Sequence, residues 1–570
     1  MFIKTVFSAA LTIGSVLLST AVFQSGTAHA QAKITLDSDV ISAEEEWVAM
    51  GKSYGGAAKN AVGQLLPQTA NLQNPTPLTV NSNNSQQPNQ DLFVGAIAIS
   101  GTNQIANEVF APVVEQNIGR NFDEEALRQL TQQIADMARD QGYIFATAYI
   151  PEQSLELGVL QLEVNEGQID EVRIIGSENK ALQRLLGSLE GRAAVQKDIE
   201  RKLVLANDIP KLWVKKTRYL SENDRNILEV NVGERKHKAH VSVDNYGTDR
   251  HGPLRARLSF DFRGLLSSAD HAGVSFRTNP TDPPEFVYAS AFYSTAVGDN
   301  GTRVGASASV GTTKPGNTNF ANLEGDSIYL SVYANHPLVR SDTASLWVNS
   351  SLSYLAIEQE DLNAILSQDK QVTFSLGLSS NIKIAGGRLR AGVALVQGLD
   401  ILGTTRFGDF AASRFDGDGV FTKGSFYANW QGNLGKSWGL YVGGWGQIAN
   451  KPLLASQEIN IGGAYSARGF DFSELSGENG FSALLEINRK FKKPVSWIDK
   501  LQPYVFIDGG YVSNLRGGFG SGTLVSGGGG IRADIGKLNL EVETAVPLNR
   551  DRFETGNRSP QVNLQLGIEI

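Results

Sequence analysis

The chain has 570 residues, 41% of them hydrophobic, with a mean hydropathy of −0.18 and a formal net charge of −8. No internal run reaches the roughly 18 apolar residues that a membrane helix needs. The absence of cysteine removes disulfides, thiolate zinc sites and cysteine catalysis, and the acidic balance gives no reason to expect nucleic acid as a partner.

At the N-terminus, Lys4 precedes a largely apolar stretch from Thr5 to Phe23, and Ala28-His29-Ala30 is an A-x-A cleavage site. Residues 1–30 therefore read as a secretory signal peptide, with the mature chain starting at Gln31. Residues 31–67 follow with a capping box, Ser42 and Glu45, and with Trp47, Met50, Tyr54, Ala58 and Leu65 at near-helical spacing. Gly51, Gly55, Gly56 and Gly63 each cost such a helix about 1 kcal/mol, so it needs a surface to lie on. Pro67 stops it, and residues 68–90 form a Gln/Asn/Pro linker.

Residues 91–167 and 168–234 read as two small αβ units. In the first, Asp123 caps a helix with Leu127, Leu130, Ile134 and Met137 on one face, ended by Gly142 and followed by strands at 145–150 and 157–164. The second has strands at 172–175 and 227–232 around a helix near 197–206. Their closing strands are near copies, 160-LQLEVNEGQ-168 and 226-NILEVNVGER-235, which marks a duplication.

From residue 235 to 570, period-two alternation takes over. In 254-LRARLSFDF-262, Leu254, Ala256, Leu258, Phe260 and Phe262 share one face, while Arg255, Arg257, Ser259 and Asp261 share the other; 562-VNLQLGIEI-570 separates as fully. A dry sandwich core would not hold such arginines unpaired, so the pattern favours a transmembrane barrel. At roughly 9–11 residues per strand the remaining length holds about 16 strands. Sixty glycines, 26 phenylalanines and 15 tyrosines suit that architecture. The fold class is mostly β: an antiparallel barrel preceded by two αβ domains and a helix.

Several motifs in order resemble the two-partner secretion transporters, outer-membrane proteins of the POTRA-plus-barrel superfamily. They are the opening pair of strands 243-VDNYGTDRHGPLRARLSF-260, the run 445-WGQIANKPLLASQEINIGGAYSARGF-470 with Gly477 and Gly480 after it, and 504-YVFIDGG-510. The resemblance spans essentially the whole mature chain. It implies that the αβ units are periplasmic POTRA domains, that the helix of about 42–66 plugs the barrel, and that the protein is a monomer. It further implies that the partner is a secreted haemagglutinin- or haemolysin-like protein. The loop motif Arg468, Gly469, Phe470 then folds into the barrel and meets the wall motif Phe506, Asp508, Gly510. Arg468 is expected to pair with Asp508 by the forked bond that lysine cannot make, worth about 1–3 kcal/mol. Gly469 would let the backbone turn and approach closely, and Phe470 would wedge the loop tip. Two departures stand out: Ala467 where the family has Val, and Ile570 where such barrels commonly end in Phe.

No enzyme site, cofactor site or metal site emerges. The six histidines are scattered and read as solvated surface residues, and no Gly-x-Ser-x-Gly elbow occurs. The run 517-GGFGSGTLVSGGGG-530 lacks a Gly-Lys-Ser/Thr ending and reads as backbone freedom for a loop and a crowded wall. A barrel-assembly factor of the same superfamily is the alternative function. A passive porin would have no use for two periplasmic repeats.

Overall fold

The computed structural model describes residues 92–153, 158–223, 225–248, 252–316, 323–515 and 520–570, and two short paired segments, Thr20–Val22 and Lys33–Thr35. Apart from those segments, the expected signal peptide, plug helix and linker lie outside the described residues. Two units follow, divided between Arg235 and Lys236.

The first unit contains the αβ repeats. Strands β1 (Leu92–Val94) and β2 (Ala96–Ser100) precede a short helix α1 (Ala111–Asn117) and strand β3 (Arg120–Phe122). Helix α2 (Glu124–Asp140) starts where Asp123 accepts the Ala126 N–H at 2.7 Å. It buries Leu127, Leu130, Ile134, Ala135 and Ala138, each large aliphatic worth about 1.5–3 kcal/mol, whereas Met137 is only half-buried. Gly142 has φ 97°, and the chain returns through β4 (Thr147–Tyr149) and β5 (Val159–Asn165). Parallel β2 and antiparallel β4 flank β5.

The second repeat has the same topology. Parallel β6 (Glu171–Ile175) and antiparallel β7 (Leu212–Glu222) flank β8 (Arg225–Glu234), with helices α3 (Lys180–Gly187) and α4 (Gln196–Asn207). In both copies the strand parallel to the central one ends at a glycine with positive φ, Gly101 or Gly176, set against a carbonyl of the central strand, 2.5 Å from where a Cβ would stand. The repeats are also sewn together. Ile144 N–H donates to Ala194 O at 3.2 Å, Ala194 N–H to Gly167 O at 3.0 Å, and Gln196 N–H to Gly142 O at 2.9 Å. Sequence reading missed α1, α3, β2 and β7: each is short or lacks a long apolar period.

The second unit is a closed antiparallel barrel of 16 strands. These are β9 (Lys238–Asp244), β10 (Arg255–Arg263), β11 (His271–Thr278), β12 (Phe286–Val297), β13 (Thr302–Thr313), β14 (Leu323–Arg340), β15 (Ala344–Asp361), β16 (Ala364–Ile384), β17 (Gly387–Leu399), β18 (Thr422–Leu434) and β19 (Trp438–Ala449). A short hairpin intervenes, β20 (Ile459–Ile461) with β21 (Leu475–Gly477). The wall resumes with β22 (Asn479–Arg489, continued by Phe491–Val495), β23 (Ile498–Ser513), β24 (Gly522–Ile535), β25 (Leu538–Pro547) and β26 (Gln561–Glu569).

Alternation sets the faces. On β23, Tyr504, Phe506 and Asp508 are buried while Val505 and Ile507 point out to where lipid lies. Strands β14 to β16 run to 18, 18 and 21 residues, well beyond the span of a bilayer, because their ladders continue into the external hairpin. Leu362 and Asn363 close that hairpin, both at positive φ as a two-residue turn demands. The barrel shuts between β9 and β26. Ala239 and Ile570 exchange main-chain bonds of 3.0 and 2.8 Å, so the C-terminal Ile570 completes the ladder.

Candidate functional site: a loop docked on the barrel wall

The chain from 450 to 478 joins β19 to β22 and folds back against the inner wall. Its stem is the β20–β21 hairpin. Beyond the stem, positive φ at Gly462, Gly463 and Ala467 turns the backbone toward β23. The turning residue next to the motif is therefore Ala467, not Gly469. At φ 52° a β-branched side chain would be strained, so alanine suits the position.

Arg468 lands on two strands at once. Its Nε donates to Asp508 Oδ2 at 2.9 Å, and its Nη1 donates to Glu543 Oε2 at 2.5 Å. Its backbone N–H faces both Asp508 oxygens at 3.3 Å, and the guanidinium lies 3.3 Å from the centre of the Phe506 ring. The fork is thus split between two carboxylates rather than closed on Asp508 alone. Ser526 Oγ donates to Asp508, the Tyr504 hydroxyl sits 2.9 Å from Glu543 Oε2, and Asn563 Nδ2 donates to Glu543 Oε1 at 3.3 Å. Arg468, Asp508 and Glu543 are all buried. Two carboxylates out of water need this density of donors, and removing the cation they share leaves them uncompensated at about 3–5 kcal/mol.

The glycines of the two motifs work by absence of a side chain. A Cβ on Gly469 would stand 2.6 Å from the backbone of Val546 and Pro547, so the loop touches β25 main chain to main chain. A Cβ on Gly510 would meet Phe481 O at 2.6 Å and the Ile461 side chain at 2.9 Å, so the bare wall there admits β20. Phe470 is fully buried among Ile459, Ile461, Leu475, Val512 and Leu524, a small apolar core between loop and wall. The glycine run of β24 serves the same station: a Cβ on Gly528 would lie 2.7 Å from the Phe506 ring, and one on Gly530 2.6 Å from the Tyr504 hydroxyl.

Two further anchors escaped sequence reading. Beyond the motif, Arg552 Nε donates to Asp471 Oδ1 at 2.9 Å, and Phe553 N–H donates to Glu474 Oε1 at 2.6 Å. Burial, with the neighbouring Asp471 carboxylate, pushes Glu474 up to about 7. At the stem, Arg414 from the connection between β17 and β18 contacts Glu458, Glu478 and Asp416, and the other Glu478 oxygen accepts the Leu515 N–H at 2.7 Å. Glu543 had a usable signal, since period two places Glu541, Glu543 and Ala545 on one face and charge on that face needs a partner. Arg414 had none, because its loop carries no period. The histidines are not all solvated: His271 Nε2 lies 2.5 Å from Asp261, and His237 Nδ1 accepts the Arg263 N–H at 3.2 Å. No cluster of His, Asp and Glu with metal-holding geometry occurs among the described residues.

A closed 16-strand barrel preceded by αβ repeats is the architecture of outer-membrane barrels that carry POTRA domains. The profile of the haemolysin secretion/activation proteins ShlB/FhaC/HecB matches residues 226–533, and that of the ShlB-type POTRA domain matches residues 92–167. The chain belongs to this family. It is an outer-membrane transporter of two-partner secretion, with its POTRA region on the periplasmic side. Among curated relatives, it is 23% identical over 470 residues to the heme/hemopexin transporter protein HuxB of Haemophilus influenzae, covering 79% of this chain and 82% of that one. It is 22% identical over 491 residues to the outer membrane transporter CdiB of Escherichia coli, covering 80% and 79%. The solved structure of CdiB from Escherichia coli superposes with a TM-score of 0.76 at 20% identity, covering 94% of this chain and 98% of that one.

Proposed function

We propose that this transporter exports one large haemagglutinin- or haemolysin-like protein as an unfolded chain through its own barrel, and that the Arg468 station is the element that must let go. The observation that carries this is the split grip of Arg468 on Asp508 and Glu543 from a loop lying inside the lumen. In this reading both αβ repeats are POTRA domains. The exported chain adds to a free edge of one of their sheets through main-chain hydrogen bonds. The 42–66 helix leaves the lumen, the loop shifts off β23 and β25, and the partner threads outward. In this reading the protein acts without catalysis, and the partner's folding outside makes export irreversible. It works as a monomer surrounded by outer-membrane lipid.

The test compares the proteins of the culture supernatant and the outer membrane with and without this gene in its native host. Loss of one large exported protein, with other barrels unchanged, supports the reading and identifies the partner. A joint fall of many outer-membrane barrels would instead make the protein an assembly factor.

A further inference from the structure

The connection from 400 to 421, between β17 and β18, holds five large apolar side chains out in solvent. Leu402 is 71% exposed, Phe415 68%, Phe407 56%, Ile401 47%, and Phe410 is fully exposed. A flexible loop would collapse over such groups, but this one is pinned. Arg406 Nε donates to Asp418 Oδ1 at 3.2 Å and its Nη1 to Asp400 Oδ2 at 2.5 Å, while its backbone N–H donates to Asp409 Oδ2 at 2.7 Å. Lys451 holds Asp418 from the next connection at 3.1 Å. Gly408 N–H reaches Phe415 O at 3.3 Å, setting the Phe407 and Phe415 rings 6.3 Å apart.

The other side of the loop faces the pore. Ser413 N–H donates to Asp369 Oδ1 at 2.9 Å, and Asp369 lies on the face of β16 opposite the lipid-facing Phe374 and Leu376. Ser413 Oγ accepts the Ala455 N–H at 3.1 Å, and Arg414 grips Glu458 and Glu478. The loop therefore rises at the external end of β16, where Thr405 N–H donates to Lys370 O at 2.8 Å, and rests through Ser413 and Arg414 on the stem of the Arg468 loop, with the apolar group exposed above as a crown. Rigid, exposed aromatics of this kind mark a surface built to bind.

We propose that this crown is a receiving surface for apolar segments of the exported polypeptide as they leave the pore and before they pack into its folded form. The inward anchoring argues against lipid, because Ser413 and Arg414 tie the loop to the lumenal face of β16 and to the stem of the Arg468 loop rather than to the outward residues of β16 and β17. The proposal rests on the outward route through the barrel given above.

The experiment uses the full transporter in cells, with the exported protein that vanishes from the supernatant on gene deletion. That protein is stalled in the pore by a tightly folding domain fused to its C-terminus. The photo-cross-linking residue p-benzoylphenylalanine replaces Phe410 at the crown, Trp445 on the inward face of β19, or Phe426 on the lipid face of β18. The expected result is an adduct with the stalled protein from positions 410 and 445 and none from 426, with the 410 adduct lost when Phe407→Ser and Phe415→Ser are added. An adduct from 445 alone overturns the crown while leaving the route intact. Adducts at 410 with lipopolysaccharide only, or with a second copy of the transporter only, also overturn it. No adduct from either 410 or 445 removes the route and the crown with it.

Discussion

Why an arginine at position 468 and not any cation? The two acceptors answer this. Asp508 and Glu543 belong to strands separated by β24, and one planar group with several N–H donors spans them. Lysine at that position keeps the charge but offers a point donor. Arg468→Lys is therefore expected to loosen the docked loop nearly as far as Arg468→Ala, by about 1.5 kcal/mol for each charge-assisted bond removed, and to lower secretion as far, because the loop no longer returns to its seat after release. The amount of barrel in the outer membrane and its heat-modifiable mobility on gels should stay near normal. Secretion by the Lys variant equal to wild type would mean that charge alone suffices. Gly528→Val makes the contrasting case. Its Cβ would fall 2.1 Å from Thr544 O and 2.7 Å from the Phe506 ring, so the wall itself should fail and barrel abundance should drop together with secretion. Arg468 and Asp508 were legible in the sequence because ordered motifs carried them. Glu543 was legible only as a charge on the inward face, and Ser526 not at all, since a glutamate or serine in an alternating strand looks the same whether it meets water or a guanidinium.

The loop as an element is held at three heights: by Arg414 at the stem, by Arg468 on the wall, and by Arg552 and Phe553 beyond the motif. The last hold is sensitive to pH. Glu474 has an ordinary value of 4.5 and is pushed up to about 7 where it meets Phe553. Between those values the docked loop keeps a proton that an undocked, solvated Glu474 has already lost. Docking is thus strongest below pH 4.5, weakens as pH rises through the window, and levels off above about 7. The protection of the Phe553 amide against hydrogen exchange, corrected for intrinsic rate, should follow that course. Glu474→Gln should flatten it, and an unchanged slope in that variant would assign the dependence to another group. Facing was readable in 254–262, 504–510 and 562–570, because a two-sided wall between lipid and water imposes period two. Strand length was not: the 21 residues of β16 exceed the bilayer because pairing partners, not the membrane, end the ladder.

At the scale of the whole molecule, a 16-strand barrel is wide enough for an aqueous channel unless something fills it. The docked loop covers the wall made by β22 to β25, where Glu486, Asp508, Glu541 and Glu543 are matched by Arg468 and Arg532. The wall at β17, separated from β22 by β18 and β19, has the opposite character. Arg388 and Arg390 lie on the face of β17 opposite the outward Val393 and Leu395, Arg388 Nη1 donates to the neutral Asn381 at 3.1 Å, and the Arg390 Nε is buried without a hydrogen bond. A channel opened along that side is lined by these fixed cations and should prefer anions in solution. Removing residues 31–90, which include the expected plug helix, is therefore predicted to raise single-channel conductance in planar bilayers and to shift the reversal potential in a KCl gradient toward chloride. Neutralising Arg388 and Arg390 with glutamine in that deletion should return the reversal potential toward zero while leaving the conductance high. Conductance unchanged by the deletion would show that residues 31–90 do not occupy the lumen. High conductance without anion preference would instead place the open path along the acidic side, with the Arg468 loop already displaced.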